Sequence, residues 1–189
     1  MSLKLNVITC STRPTRVGPA VTKWFVDYAQ QESSDVFDVE NVDLASFNLP
    51  IFDEPKHPRF GEYEHAHTKA WSASVDSADA FVFVTPEYNH GPLPSFVNAM
   101  TYLAKEWAYK PAAFVSYGGV SGGLRGVHVA KTILTTMKVV PLLEAVPIPM
   151  VGENLKDGVF EAKEIHEVSA KMLLPELAKW AEALRTMRG

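Results

Sequence analysis

Three short stretches of this 189-residue chain bring together residue types that do chemistry. In the first, Ser11-Thr12-Arg13-Pro14-Thr15-Arg16-Val17-Gly18, three hydroxyls and two guanidiniums precede the amides of a helix start. These groups suit phosphate: hydroxyls and main-chain N–H groups point at the oxygens, the helix dipole favours negative charge, and one arginine can bind two oxygens at once. A solvated turn with two surface arginines is the plain alternative. No G-x-x-x-x-G-K-[ST] occurs, so this is not a Walker loop, and the lack of any G-x-G-x-x-G removes support for classical dinucleotide binding.

The second stretch, Thr85-Pro86-Glu87-Tyr88-Asn89-His90-Gly91-Pro92-Leu93-Pro94, is stiffened by three prolines and a glycine, as a wall against a flat ring needs to be. Its backbone groups and Asn89 suit the donor and acceptor edge of a heterocycle. The competing interpretation is a rigid connector with a buried Tyr88, and Glu87 and His90 stand as acid or base candidates. In the third, Ser116-Tyr117-Gly118-Gly119-Val120-Ser121-Gly122-Gly123, two functions compete. Gly119 to Gly123 matches the G-x-S-x-G nucleophile elbow, with Ser121, Asp157 and His166 in the order a hydrolase triad requires. Against that, such patterns are common in glycine-rich turns, the chain is short for the hydrolase fold, and the first stretch would be left without a role. Otherwise the loop closes the other side of the same flat ring, its glycines letting backbone approach closely.

The elements that must position these loops follow from periodicity. Leu3 to Thr9 is a strand, and Gly18-Pro19 opens a helix with Gly18 as N-cap, followed by Val21, Trp24, Phe25 and Tyr28 at helical spacing. Phe37 to Val42 alternates as a second strand, and 44–64 is irregular. Ala66 to Val75 is a helix, Ala80 to Val84 a continuously apolar central strand, and Phe96, Met100, Leu103 and Trp107 stripe a further helix. Ala112 to Ser116 is the fourth strand, Val127 to Met137 a helix, and Val139 to Val146 a fifth strand whose Pro141 places it at an edge. A helix from about Glu164 to Met187, kinked at Pro175, ends the chain. Alternating strands and helices imply one α/β domain spanning 1–189, a doubly wound five-stranded parallel sheet in the order 2-1-3-4-5 with helices on both faces. That order brings the three loops to its switch point.

Composition narrows the partners. A net charge of −4 gives no reason to expect nucleic acid or an anionic membrane, so any bound anion is held locally. The single cysteine, Cys10, excludes an internal disulfide, no apolar run is long enough to span a bilayer, and the N-terminus lacks the core of a signal peptide, so a cytoplasmic location is expected. Asp53, Glu54, His57, His65 and His67 lack a recognised metal-ligand spacing and are read as a mobile, polar loop. Tyr102, Trp107 and Tyr109 are core or cover a partner subunit.

At the three loops the chain resembles the NADPH-dependent FMN reductase family, the flavodoxin-like group that includes quinone, azo and chromate reductases. Ser11-x-Arg13-x-x-Arg16-x-Gly18 is similar to that family's phosphate loop, Thr85-Pro86-Glu87-Tyr88-Asn89 with Pro94 and Asn98-Ala99 to its most specific motif, and Ser116 to Gly119 with Gly122-Gly123 to its third FMN loop. Cys10 stands where many members have glycine. The resemblance implies that Ser11, Arg13, Arg16, Val17 and Gly18 hold the FMN phosphate, while Pro86, Glu87, Tyr88 and Asn89, with Ser116, Tyr117, Gly118 and Gly119, flank the isoalloxazine. It further implies hydride transfer from NADPH or NADH to FMN and on to a small-molecule acceptor by ping-pong, with no catalytic side chain, in a homodimer that can pair into a tetramer. Arg125 or a first-loop arginine would meet the 2′-phosphate of NADPH. A non-catalytic electron carrier or redox sensor is the alternative.

Overall fold

Ala80-Phe81-Val82-Phe83-Val84 and Ala112-Ala113-Phe114-Val115 are apolar at every position, which demands burial on both faces, and they lie at the centre of the sheet. The computed structural model describes residues 2–188. Its strands β1 (Leu3–Thr9), β2 (Phe37–Asp43), β3 (Ala80–Pro86), β4 (Pro111–Tyr117) and β5 (Val140–Ile148) pair in parallel in the order β2-β1-β3-β4-β5, as the alternation of elements requires. Pro141 and Pro147 sit on β5, an edge strand, where a missing N–H costs least.

Side chains alternate between two cores. Leu5, Val7, Val82, Val84, Ala113 and Val115 pack against α1 (Gly18–Ser33) and α5 (Glu164–Arg185). Ile8, Phe81, Phe83 and Phe114 point the other way, to α2 (Ala66–Ser77), α3 (Pro94–Thr101) and α4 (Leu124–Thr136). Trp107 is fully buried there, edge-on to Trp71 and Phe81, and Tyr102 is buried with it, so both are core.

Several boundaries differ from expectation. Val17, not Gly18, precedes the first turn of α1, which makes Gly18 its first residue. The stripe from Phe96 to Trp107 is two elements: α3 stops at Thr101, and Lys105–Trp107 is a 3-10 turn that lets the chain reverse into β4. α5 continues through Pro175. A small hairpin, β6 (Leu155–Lys156) and β7 (Val159–Phe160), adds to the expected elements, and Asp157-Gly158 at its tip, both at positive φ, is a strong hairpin-turn signal.

The irregular 44–64 segment is tied down at several points. Asp43 accepts the Ala45 amide at 3.0 Å to start a 3-10 turn, and Asn98 on α3 grips the backbone twice, donating to the Pro50 carbonyl at 2.6 Å and accepting from the Phe52 amide at 3.0 Å. Glu54 is buried and accepts the Glu64 and His65 amides at 2.8 and 3.0 Å. Asn98→Ala is expected to lower stability by about 1–2 kcal/mol and to raise hydrogen exchange at the Phe52 amide; unchanged protection at Phe52 contradicts the anchoring role.

Candidate functional site

In an open α/β sheet the ligand crevice lies beyond the carboxyl ends of the strands, where the order reverses, here between β1 and β3. The three loops leave β1, β3 and β4 at that end. The first is locked to its neighbours by close packing. Ser11 is buried and its hydroxyl accepts from the Tyr117 phenol at 3.3 Å, which ties the end of β1 to the end of β4. Burial pushes that phenol up to about 12, so it stays a neutral donor. A Cβ at Gly18 would lie 2.3 Å from the Ser11 oxygen and 2.9 Å from the Tyr117 oxygen, and only glycine admits this approach. Beneath it, the Thr9 and Thr22 hydroxyls share a buried hydrogen bond of 2.6 Å that fixes α1 on β1.

What this leaves open is suited to an anion. The N-terminus of α1 has no side-chain cap among the described residues; Pro19 lacks an N–H and the Ala20 and Val21 amides bond the Val17 carbonyl at 3.0 and 3.4 Å, which leaves the Gly18 amide of the first turn free. Arg13 is exposed, and no acidic partner reaches it among the described residues. Arg16 is ion-paired to Asp43 at the end of β2, and its buried Nε has no partner among the described residues. Asp43 was not singled out by sequence: it aims Arg16 and starts the turn after β2 with the same carboxylate.

The second loop is a tight turn in which Tyr88 and Gly91 exchange backbone hydrogen bonds of 3.0 and 2.9 Å, with Asn89 and His90 at positive φ. Its Tyr88 is exposed, not buried. Glu87 does not face outward: it accepts from the Ser121 hydroxyl at 2.5 Å, from the Arg125 and Gly126 amides at 3.0 and 3.2 Å, and from the Arg125 guanidinium at 3.3 Å. Burial works to raise its carboxyl, but these donors outweigh it and hold it below the usual carboxylate range. That ionised state removes Glu87 as a general acid near neutrality.

The third loop follows Ser116, whose buried hydroxyl has no partner among the described residues. Gly118 donates to the Ile148 carbonyl at 3.2 Å, and the Met150 and Val151 amides return bonds of 2.9 Å to Gly119 and Gly118. Gly119 is exposed, and a Cβ there would meet nothing within 4 Å. The hydrolase alternative fails here. Ser121 donates its hydrogen bond to Glu87, Asp157 is a hairpin-turn residue, and His166 accepts the Lys163 amide through Nδ1 at 3.1 Å while packing against Trp24 and Phe160. Asp53 likewise is engaged, accepting from Tyr102 at 2.8 Å and bonded to His67 at 3.0 Å.

Beside the loops opens a cleft of about 1130 Å³ between the 44–52 segment, α3 and α4, with Leu49, Ile51, Phe52, Val97 and Ile133 on its walls and Thr12 and Pro92 at its edge.

A 2-1-3-4-5 sheet with anion-suited donors at its switch point defines a flavodoxin-like protein, and solved structures agree. The flavoenzyme NAD(P)H:(acceptor) oxidoreductase FerB of Paracoccus denitrificans superposes with a TM-score of 0.75 over 96% of this chain and 98% of its own, at 20% identity. The chain belongs to the NADPH-dependent FMN reductase family, whose model matches residues 3–153. It is 40% identical over 163 residues to an NAD(P)H-dependent FMN reductase of Schizosaccharomyces pombe, covering 84% of this chain and 78% of the relative. To the NAD(P)H-dependent FMN reductase ntnL of a Nectria species it is 35% identical over 165 residues, 82% of each. It is therefore an NAD(P)H-dependent oxidoreductase with FMN as cofactor.

His166 offers a test of its structural role. Burial, with the Lys163 charge, pushes its imidazole below the ordinary value despite Glu167. A depressed folded value means that the stability from this group is complete above about pH 6.5 and is lost as pH falls through the folded value. Denaturation at pH 7.5 and pH 5 is expected to show a smaller acid loss in His166→Asn than in the wild type; equal losses contradict this assignment.

Proposed function

We propose that the three loops form the FMN site, with Ser11, Arg13, Arg16, Val17 and Gly18 on the phosphate and with Pro86 to Asn89 and Ser116 to Gly119 on either side of the ring system. The observation that carries this is the free Gly18 amide at the side-chain-uncapped N-terminus of α1, beside Arg13, which has no acidic partner among the described residues, at the sheet's switch point. The donor set fits the group: a phosphate dianion needs several N–H and O–H donors and positive charge, which this loop concentrates in a chain of net charge −4. The close approach at Gly18 fits too, since a side chain there would displace the Ser11 hydroxyl.

When bound, FMN supplies the redox chemistry, accepting a hydride from NAD(P)H and passing electrons to a quinone, free flavin or similar acceptor, in a ping-pong order on one face. The protein's part is placement. The stiff Tyr88–Gly91 turn holds one wall, and the Gly118–Gly119 backbone, pinned to Ile148 and to residues 150–151, holds the other. Exposed Tyr88, Asn89 and Gly119 leave that end of the sheet accessible to substrates. No side chain is required as nucleophile, and the Glu87 carboxylate is committed to α4.

The whole chain serves as one FMN-binding unit and works in the cytoplasm; among the described residues no helix is long and apolar enough to cross a membrane. A homodimer is favoured by the apolar rim of the cleft, where Ile51 is 90% exposed and Val97 and Val129 stand beside it. Anaerobic rapid mixing of the FMN-loaded protein with NADPH or NADH is expected to bleach the flavin, and a subsequent quinone to restore it. If both nucleotides leave the flavin oxidised over minutes, the enzyme assignment gives way to a carrier or sensor.

A further inference from the structure

We propose that Glu87 is a positioning residue that sets the spacing between the second and third loops through Ser121 and the first turn of α4, and that FMN retention depends on it; this rests on those loops flanking the FMN ring. Glu87 leaves β3 directly after Pro86, so its backbone belongs to the second loop while its side chain crosses to the third. Four donors reach the carboxylate: the Ser121 hydroxyl at 2.5 Å and the Arg125 guanidinium at 3.3 Å on Oε1, the Arg125 and Gly126 amides at 3.0 and 3.2 Å on Oε2.

The helix needs this partner. Gly123, the residue preceding α4, offers no side chain to cap it, and Glu87 takes that place from another loop. A carboxylate at a helix N-terminus is favoured by the dipole as well as by the free amides. Close packing at the same helix turn enforces this spacing sterically. A Cβ at Gly126 would lie 2.8 Å from the Gly91 carbonyl oxygen and 2.9 Å from the Glu87 Cβ, so the second loop rests directly on α4. The third loop is meanwhile anchored on its far side by Gly118 and Gly119 to residues 148–151. The two walls thus form one unit with two links, a charged one at Glu87 and a steric one at Gly126. Ser121, the centre of the G-x-S-x-G pattern, is the hydroxyl donor of this strut.

Glu87→Gln is nearly isosteric but turns an NH₂ toward donors, and Gly126→Ala pushes the walls apart without touching the charge. Apoproteins carrying Glu87→Gln, Gly126→Ala, Ser121→Ala, the double change Glu87→Gln with Ser121→Ala, and Arg13→Ala are titrated with FMN by flavin fluorescence, with the visible circular dichroism of the bound flavin and the apoprotein Tm recorded. Glu87→Gln and Gly126→Ala are each expected to raise the FMN Kd about ten- to a hundredfold and to change the flavin dichroism, and adding Ser121→Ala to Glu87→Gln to cause little further loss. A lowered Tm with unchanged Kd and dichroism in these variants, while Arg13→Ala weakens binding, overturns the positioning role and leaves the FMN site standing. Unchanged affinity in Arg13→Ala as well overturns the FMN site itself. Should Gly126→Ala not fold, Ser121→Ala decides: wild-type Kd and dichroism in it overturn the strut.

Discussion

A sheet buried on both faces has nowhere to place polar chemistry except at the ends of its strands. β3 and β4 are buried along almost their whole length, and β1 is nearly so. The hydroxyls, amides and guanidiniums able to meet a ligand are therefore gathered at the carboxyl ends of these strands, and the reversal of order between β1 and β3 opens the space they share. The rest follows from holding loops in register over that opening. Ser11 and Tyr117 close it from beneath, Asp43 aims Arg16, and Glu87 joins the second loop to α4.

Electrostatics gives this arrangement its character. The surplus of acidic residues says nothing about the site, because the charges that matter are few and local. Arg13 and Arg16 lie beside the positive end of α1, and Arg16 is already oriented by a carboxylate. An arginine held by one partner loses less side-chain freedom on binding another, so in the proposed site the pairing with Asp43 would prepare a donor.

Legibility in the sequence tracks the range of the interaction. The central strands show as unbroken apolar runs, and Pro141 marks an edge, because burial and proline chemistry are written into single stretches of chain. The three loops are visible for the same reason, each a local cluster of hydroxyl, proline or glycine residues. The end of α3 is not, since Phe96, Met100, Leu103 and Trp107 are all buried whether the helix continues or turns at Thr101. Nor are the directions of side chains whose partners lie far along the chain. Glu87 reads as an acid or base candidate in its motif, yet its donors are Ser121, Arg125 and Gly126; Asp43 carries no signal for Arg16; and the segment around Ile51 looks irregular because its anchor, Asn98, lies far along the chain on α3. Asp157-Gly158 is the exception, a local turn signal masked by the triad order into which Asp157 also falls.

If the anion-suited donors at the start of α1 hold the cofactor's phosphate, the protein must distinguish FMN from riboflavin, which shares the ring and ribityl chain but lacks that phosphate. Parallel calorimetric titrations of the apoprotein with the two flavins test this most directly. Binding of FMN at least about a hundredfold tighter than riboflavin, with the difference shrinking as ionic strength rises, is the expected result. Equal affinities for the two would contradict a phosphate site at the start of α1.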